Sequence, residues 1–314
     1  MSKNRTGVLA QVFRFPISVF PFPFSPFTSN IVWPFSKKTT IAVSGILAGA
    51  ADHHSHILPG VDDGVETMDE ALRILAAYEE LGIKELWLTP HIMEDIPNTP
   101  QKLTARFEEL KAAYKGGITL HLAAEYMIDN NLHKLIQEIN SPSLSRGTTR
   151  GSVVCDDGYF STPKECPIGA TKGEGYRNPK QDSPHLLPIG NAGKHILVET
   201  SYFNPPMRLR ETLRQIKSLG YYPLLAHPER YMYMDNDEYR SLREEGVKFQ
   251  LNLVSLAGGY GAAVKKKAMW LLTNGLYSVA GSDLHSEDAI EYITKCRLGK
   301  QETEQVKSLL HNKI

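Results

Sequence analysis

Apolar and polar positions along the chain alternate between the period of β-strands and the period of amphipathic helices. Thr67 and Glu70 form a capping box that begins a predicted helix, which runs to about Leu81 and stops at Gly82. Further helices are predicted at 100–115, 206–219, 236–245 and 262–274. Strands are predicted in the segment leading into Asp52 and at 84–91, 118–125, 195–200, 221–230, 247–253 and 276–283. Seven strands with helices mostly between them predict an α/β fold with parallel pairing, a TIM-like barrel of seven repeats.

Two segments depart from this alternation. Residues 1–35 are the first; positions 12–35 are dense in Phe and Pro, and the prolines interrupt any apolar run before it reaches about 18 residues. We expect a disordered or peripheral extension there, with a targeting peptide as the less favoured alternative, and no membrane span. Residues 141–193 are rich in Gly, Ser, Thr and Pro and show no periodicity, which predicts a long flexible insertion. The barrel domain is therefore expected to cover 36–314, interrupted by that insertion.

Charge and cysteine content exclude several classes of protein. The chain has 35 Lys and Arg against 35 Asp and Glu, and this balance argues against a non-specific nucleic-acid binder. Its three cysteines form no C-x-x-C pair, so neither a disulfide framework nor a thiolate zinc site is expected. A reducing, cytoplasmic compartment is the natural interpretation.

Titratable residues lie at the ends of six of the seven predicted strands. They are His54 and His56 with Asp63 behind them, His91, Glu125, Glu199, His227, Asp283 and His285. In a (β/α) barrel the carboxyl ends of the strands converge on one face, where active sites are built. A single His at a strand end is more often structural than functional. A whole set is harder to explain that way, because buried unpaired charges cost several kcal/mol, and bound metal would remove that cost.

The types of residue narrow the choice of metal. His54 and His56 are two residues apart on an extended segment, so both imidazoles point to the same side. Imidazole mixed with carboxylate, without thiolate, suits Mn, Fe or Zn. Nine ligands are too many for one ion and predict two or three. Such sites generate hydroxide near neutral pH and hold a phosphoryl group during in-line displacement.

Six motifs in order now resemble a known superfamily. They are "DHHSHILPGVDDG", "LTPH", "AAEY", "ILVETSYFNPP", "LLAHPERY" and "AGSDLH". They resemble the PHP (polymerase and histidinol phosphatase) superfamily and, within it, the manganese-dependent protein-tyrosine phosphatases of bacterial capsular and exopolysaccharide operons. The resemblance runs from about Trp33 to about His285. It implies a distorted (β/α)7 barrel.

The resemblance also implies a division of the metal ligands. One ion would be held by His54, His56, Glu125 and Asp283. Glu125 would bridge to a second ion, completed by Glu199 and His227. A third ion would be held by Asp63, His91 and His285. The implied metal is Mn²⁺, with Fe or Zn as alternatives.

Arg230 in "HPERY" matches the arginine of the family that binds the substrate phosphate, and its planar guanidinium suits a dianion. With His56 and Asp283 it is the expected catalytic set, and Tyr202 is an expected substrate contact. The alternative for Arg230 is a surface salt bridge with Glu229 or Asp235.

The implied substrate is the phosphorylated, tyrosine-rich tail of a bacterial tyrosine autokinase that controls polysaccharide synthesis. Cysteine-dependent tyrosine phosphatases need Cys and Arg separated by five residues. None of Cys155, Cys166 and Cys296 has an arginine at that spacing. Attack is therefore expected from metal-bound hydroxide.

Two other functions stay open at this stage. One is a PHP phosphatase acting on a small ester of the histidinol-phosphate type, and the other is a non-catalytic binding module stabilised by metal. Tyr202, Phe203 and Arg208 could meet a peptide-sized ligand, which favours a protein substrate weakly. Some relatives carry a second arginine after the last D-x-H, but here "DLHSEDAIEY" supplies acids and the next basic residue is Lys295.

Overall fold

The computed structural model describes residues 38–141, 153–154, 160–161 and 185–314. The expected extension 1–35 lies outside the described residues, as does most of the expected insertion 141–193. Within the described part, 3₁₀ turn Pro228–Arg230 and ten α-helices occur. The helices are Ile41–Ser44, Met68–Glu80, Pro100–Ala113, Asn130–Asn140, Leu209–Ser218, Asn236–Glu244, Leu253–Ala257, Ala262–Thr273, Asp288–Lys295 and Lys300–Leu310.

The helices predicted from the sequence are confirmed within a few residues, and their ends show why. The Thr67 hydroxyl accepts a hydrogen bond from the Glu70 backbone N–H at 3.2 Å, which satisfies one free donor of the first turn. Gly82 has a φ of +87°, a left-handed conformation that lets the chain leave this helix.

The strands are short. They are β1 (Thr39–Thr40), β2 (Ala51–Ser55), β3 (Glu85–Leu88), β4 (His91–Ile92), β5 (Thr119–Leu122), β6 (Glu125–Met127), β7 (Val153–Val154), β8 (Phe160–Ser161), β9 (His195–Glu199), β10 (Tyr222–Ala226), β11 (Lys248–Asn252), β12 (Val279–Gly281) and β13 (Arg297–Leu298). One parallel sheet has the order β12-β11-β10-β9-β6-β4, and another has the order β2-β3-β5. Two antiparallel pairs, β1 with β13 and β7 with β8, complete the pairing.

The parallel strands curl toward closure. Ser55, at the end of β2, forms a parallel bridge with Leu284, which follows β12. The His56 N–H donates to the Leu284 carbonyl, and the Asp283 N–H donates to the His54 carbonyl, both at 2.9 Å. The result is a mixed α/β fold with a curled parallel half-barrel sheet.

The predicted strand 84–91 is interrupted in the structure. β3 ends at Leu88 and β4 begins at His91, and Pro90 between them has no N–H to donate. The Thr89 hydroxyl instead bonds with the backbone of Ser55. The predicted strand 118–125 is similarly divided into β5 and β6. At each interruption the chain passes from the three-stranded sheet to the six-stranded sheet, just before His91 and Glu125.

The central strands are buried on both faces, as parallel sheets covered by helices are. Every residue of β9 is buried. Leu197 on one face joins a small cluster with Trp87, Leu224 and Val279. The alternate residues of β9 join the larger core that packs against the helices.

Residues 185–193 differ from the expected insertion, which included them. Leu186 and Ile189 are buried, and Ile189 pairs with His195. The Leu187 N–H donates to the Tyr126 hydroxyl at 2.8 Å. The apolar side chains in "HLLPIG" pack into the core. The sequence does not indicate this, because the segment lies in a Gly- and Pro-rich stretch without periodicity. The packed domain therefore resumes before position 193.

Candidate metal centre

All nine titratable residues singled out from the sequence lie at one edge of the curled sheet. The parallel strands end there together, so residues far apart in the chain become neighbours. Seven of the side chains are buried: His54, His56, His91, Glu125, Glu199, His227 and Asp283. Asp63 is exposed and His285 is half-buried, at the mouth of the group.

The ligand atoms form three groups in which all atoms lie within 4.8 Å of one another. The first group is His56, Asp63, His91 and His285; the second is His54, Glu125, His227 and Asp283; the third is His91, Glu125 and Glu199. Glu125 and His91 each belong to two groups, so they connect the set. His56 falls in the group of Asp63, but its Nε2 also lies 3.0 Å from His54 Nε2, next to the ligand with which the resemblance places it.

Glu125 is the hub of the centre. Its Oε2 lies 3.1 Å from His54 Nε2, 3.3 Å from His56 Nε2 and 3.3 Å from His91 Nδ1. Its Oε1 lies 3.1 Å from His227 Nε2. One fully buried carboxylate, on the first residue of β6, thus contacts four imidazoles that come from different strand ends.

Burial and charge set the protonation of the carboxyls. Burial alone would raise the pKa of Glu125, but the charge of His54 and a hydrogen bond from His227 hold that pKa well below its usual value. Burial would also raise the pKa of Asp283, but the charges of His54 and His227 lower that pKa to about 2. Burial raises the pKa of Glu199 well above its usual value, and the charges of Glu125 and Asp283 raise it further.

The donors around Glu199 fit a divalent cation. His91 Nδ1 is buried, has no hydrogen-bond partner in the described part of the chain, and lies 3.2 Å from Glu199 Oε1 and 3.3 Å from Glu125 Oε2. Burial and the charge of His56 lower the pKa of His91 to about 4, so this imidazole offers its lone pair. Mixed nitrogen and carboxylate donors with no thiolate suit Mn, Fe or Zn.

Other residues orient the imidazoles. His54 Nδ1–H donates to Gln250 Oε1 at 2.5 Å, His56 Nδ1–H to Asp62 Oδ2 at 2.9 Å, and His285 Nδ1–H to the Asp283 carbonyl at 2.9 Å. Each of these bonds leaves Nε2 free to face the centre. Sequence reasoning missed Asp62 and Gln250. The adjacent pair Asp62-Asp63 indicated that a carboxylate lies near the histidines, but the order of residues alone does not show which of the two turns inward.

Two site residues occupy strained backbone. His227 has a φ of 32° and Asp283 a φ of 55°, and they are the only non-glycine residues with positive φ in the described part of the chain. Left-handed backbone is costly for residues with a Cβ and collects at functional sites. At both positions it turns the chain within two residues of a strand end.

Gly281 precedes this turn and contacts His54. A Cβ at Gly281 would lie 2.4 Å from His54 Cβ and 2.9 Å from its backbone nitrogen. We expect Gly281→Ala to lower the free energy of unfolding by about 1–3 kcal/mol through overpacking. Chemical denaturation of the purified variant measures this.

The matched control is Gly117→Ala, whose added Cβ would meet only the end of the flexible Glu79 side chain, at 3.0 Å. An unchanged stability of Gly281→Ala would show that β12 can move away from His54.

Arg230 lies beside the centre, held between two aromatic rings. Its guanidinium carbon is 4.0 Å from the centroid of Tyr202 and 4.1 Å from that of Tyr260, and its Nη1 donates to Asp283 Oδ2 at 3.1 Å. The alternative salt bridges are not formed: Glu229 accepts from Tyr277 and Asn252, and Asp235 caps a helix. The Tyr202 hydroxyl donates to Glu199 Oε2 at 3.1 Å.

A cavity of about 600 Å³ opens over the centre. Titratable groups of the centre, Arg230, Tyr202 and Tyr260 line it, with Met93 and Met127 as apolar walls. Cys296, the only cysteine among the described residues, is buried outside this lining, with its thiol 3.8 Å from the Leu256 carbonyl. Cys155 and Cys166 lie outside the described residues.

None of the described helices is both long and apolar enough to span a bilayer.

The sequence matches the family described as "Capsular polysaccharide synthesis, CpsB/CapC" over residues 50–149 and 184–310. Tyrosine-protein phosphatase YwqE of Bacillus subtilis is 25% identical over 244 residues, 75% of this chain and 77% of the relative. Tyrosine-protein phosphatase CpsB of Streptococcus pneumoniae is 26% identical over 245 residues, 76% of this chain and 84% of the relative.

The fold also has a counterpart among solved structures. A chain from the crystal structures of YwqE from Bacillus subtilis and CpsB from Streptococcus pneumoniae, described as unique metal-dependent tyrosine phosphatases, superposes with a TM-score of 0.58. It is 20% identical, and the match covers 84% of this chain and 97% of that chain. The resemblance inferred from the motifs is confirmed by these likenesses.

Proposed function

This chain belongs to the CpsB/CapC family of capsular polysaccharide synthesis, and we propose that it is a metal-dependent protein-tyrosine phosphatase. Its substrate would be the phosphorylated, tyrosine-rich tail of a bacterial tyrosine autokinase that regulates capsule or exopolysaccharide synthesis, in the cytoplasm. The observation that carries the proposal is the buried set of nine His, Asp and Glu side chains with Arg230 beside it, at the base of one cavity. Relatives named as tyrosine-protein phosphatases support the same activity.

The three groups of ligand atoms would hold two or three ions, with Mn²⁺ preferred and Fe or Zn as alternatives. When bound, the ions would activate water and neutralise charge on the phosphoryl oxygens. Glu125 would hold neighbouring ions close together, since its two carboxylate oxygens face different imidazoles. His91, neutral and with a single lone pair, would serve only one of the two groups to which it belongs. His56 and Asp283 would keep the ions beside the reacting phosphorus.

Arg230 would bind the non-bridging oxygens of the phosphate. The rings of Tyr202 and Tyr260 restrict its guanidinium to one plane, so less side-chain entropy is lost when the phosphate binds. Asp283 accepts one of its N–H groups and leaves others for the phosphate. Tyr202 would also form part of the wall that the substrate ring meets.

We also propose that the two parallel sheets are parts of one distorted (β/α)7 barrel. Counting β3 with β4 and β5 with β6 as interrupted strands gives seven, and the bridge from Ser55 to Leu284 supports closure between β2 and β12. The family match omits residues 150–183, which supports an insertion there.

The test is an assay of three substrates with and without Mn²⁺: p-nitrophenyl phosphate, a phosphotyrosyl peptide and histidinol phosphate. We expect Mn²⁺-dependent hydrolysis of the peptide. Preference for histidinol phosphate would indicate the small-ester phosphatase. Metal binding without turnover of any substrate would indicate a binding module.

Asp62 gives a prediction about metal affinity. Its Oδ2 accepts from His56 Nδ1 at 2.9 Å and from the His91 N–H at 3.0 Å, so it orients two proposed ligands without being one. We expect Asp62→Asn to weaken Mn²⁺ binding by about 10–100-fold. Metal titration followed by calorimetry measures this, with Asp69→Asn, at an exposed position of the helix Met68–Glu80, as the control. Unchanged affinity would show that Asp62 only stabilises the loop.

A further inference from the structure

A second cavity, of about 580 Å³, lies outside the candidate metal centre and is basic. Lys38, Lys265, Lys295 and Arg297 line it, and among the described residues Glu291 is the only acid in its lining. The lining therefore carries three more positive than negative charges, in a chain whose 35 basic and 35 acidic residues balance. Like charges gathered around one concave surface favour an anionic ligand.

Three of these cations have no carboxylate partner among the described residues. Glu291 pairs with Lys295 along one helix. Lys265 Nζ donates to the Ala257 carbonyl at 3.2 Å, and Arg297 Nη2 donates to the Lys38 carbonyl at 3.2 Å. These bonds to neutral oxygens position Lys265 and Arg297 without neutralising them. Residues 1–37, which directly precede Lys38, contain no Asp or Glu that could do so.

The two cavities share a wall. Tyr292 lines both of them and is 57% exposed. The same helix, Asp288–Lys295, presents Asp288 and Ala289 to the candidate metal centre and Glu291 and Lys295 to the basic cavity. A chain that enters one cavity can therefore continue over Tyr292 into the other.

We propose that the basic cavity binds an acidic side chain or a second phosphate of the same peptide whose phosphotyrosine occupies the candidate metal centre. This inference rests on the proposed phosphatase function and adds a preference for substrates with acidic flanks. A small phosphate ester cannot occupy both cavities, so the basic cavity would contribute only with peptides. Its cations would act on substrate binding and leave the reacting groups unaffected.

The test uses two phosphotyrosyl peptides of equal length, one with Glu on both sides of the phosphotyrosine and one with Gln at those positions. For the wild-type protein with Mn²⁺, we expect kcat/KM to be about five- to tenfold higher for the acidic peptide. The difference should reside in KM and shrink at high salt, since exposed charges are screened. The triple variant Lys38→Gln/Lys265→Gln/Arg297→Gln should lose the preference and keep its activity on p-nitrophenyl phosphate.

The matched control is Lys266→Gln/Lys307→Gln/Lys313→Gln, which removes the same charge from exposed lysines that line neither cavity. It should keep the preference. Equal kcat/KM for both peptides in the wild type, or an unchanged preference in the first triple variant, would overturn this inference and leave the phosphatase function standing. Failure of the wild type to hydrolyse either peptide would overturn the proposed function and this inference with it.

Discussion

Glu125→Gln should abolish most metal binding and lower kcat/KM by more than about 100-fold. Substitutions that merely disorient metal ligands cost about 10–100-fold, and Glu125 lies in two of the three groups of ligand atoms. Glutamine keeps the shape of the side chain and removes its charge. The imidazoles of His54, His56, His91 and His227 would then face a neutral amide where they now face a carboxylate.

Metal content by elemental analysis, read beside kinetics on a phosphotyrosyl peptide, measures this effect. Glu108→Gln, at an exposed position of the helix Pro100–Ala113, is the control for the same change of charge. If Glu125→Gln binds the wild-type amount of metal and turns over normally, the centre is organised around another residue.

Parallel topology explains why the site could be predicted from the sequence. Once the strands are assigned, their carboxyl ends must meet, so His91, Glu199 and His227 can be brought together without knowledge of any contact between them. Their burial follows from the fold as well, because β9 and β10 are covered on both faces. The location of these residues at strand ends is therefore enough to predict that they lie close together and are buried.

The orienting residues could not be predicted in the same way. Asp62 turns toward His56 while Asp63 remains exposed, and the difference depends on the conformation of the loop that follows β2. Gln250 lies two positions inside β11, where a buried polar residue has many possible partners. Tyr260 reaches Arg230 from a loop bounded by Gly258 and Gly261, both at positive φ, and no periodicity indicates where such a loop points.

Arg230→Ala should lower kcat/KM on a phosphotyrosyl peptide by about 10–100-fold while metal content stays at the wild-type level. Hydrogen bonds to charged groups contribute about 1.5–3 kcal/mol, and about 1.4 kcal/mol corresponds to a tenfold change in rate. Arg230 follows His227 by three residues and is the last residue of the 3₁₀ turn Pro228–Arg230, so one loop carries a proposed metal ligand and a proposed phosphate ligand. Metal content should therefore distinguish the two alanine variants: Arg230→Ala should keep its metal, whereas His227→Ala should lose metal together with activity.

Arg230→Lys distinguishes the geometry of the guanidinium from its charge. An ammonium group can approach the phosphate but cannot form two parallel hydrogen bonds or stack between Tyr202 and Tyr260 as a planar group does. We therefore expect only partial recovery relative to Arg230→Ala. Arg214→Ala, at an exposed arginine on another helix, controls for the loss of one positive charge. Wild-type kcat/KM in Arg230→Ala would mean that Arg230, with Tyr202 and Tyr260 on either side, only packs against Asp283. The phosphate would then be bound by the metal ions alone.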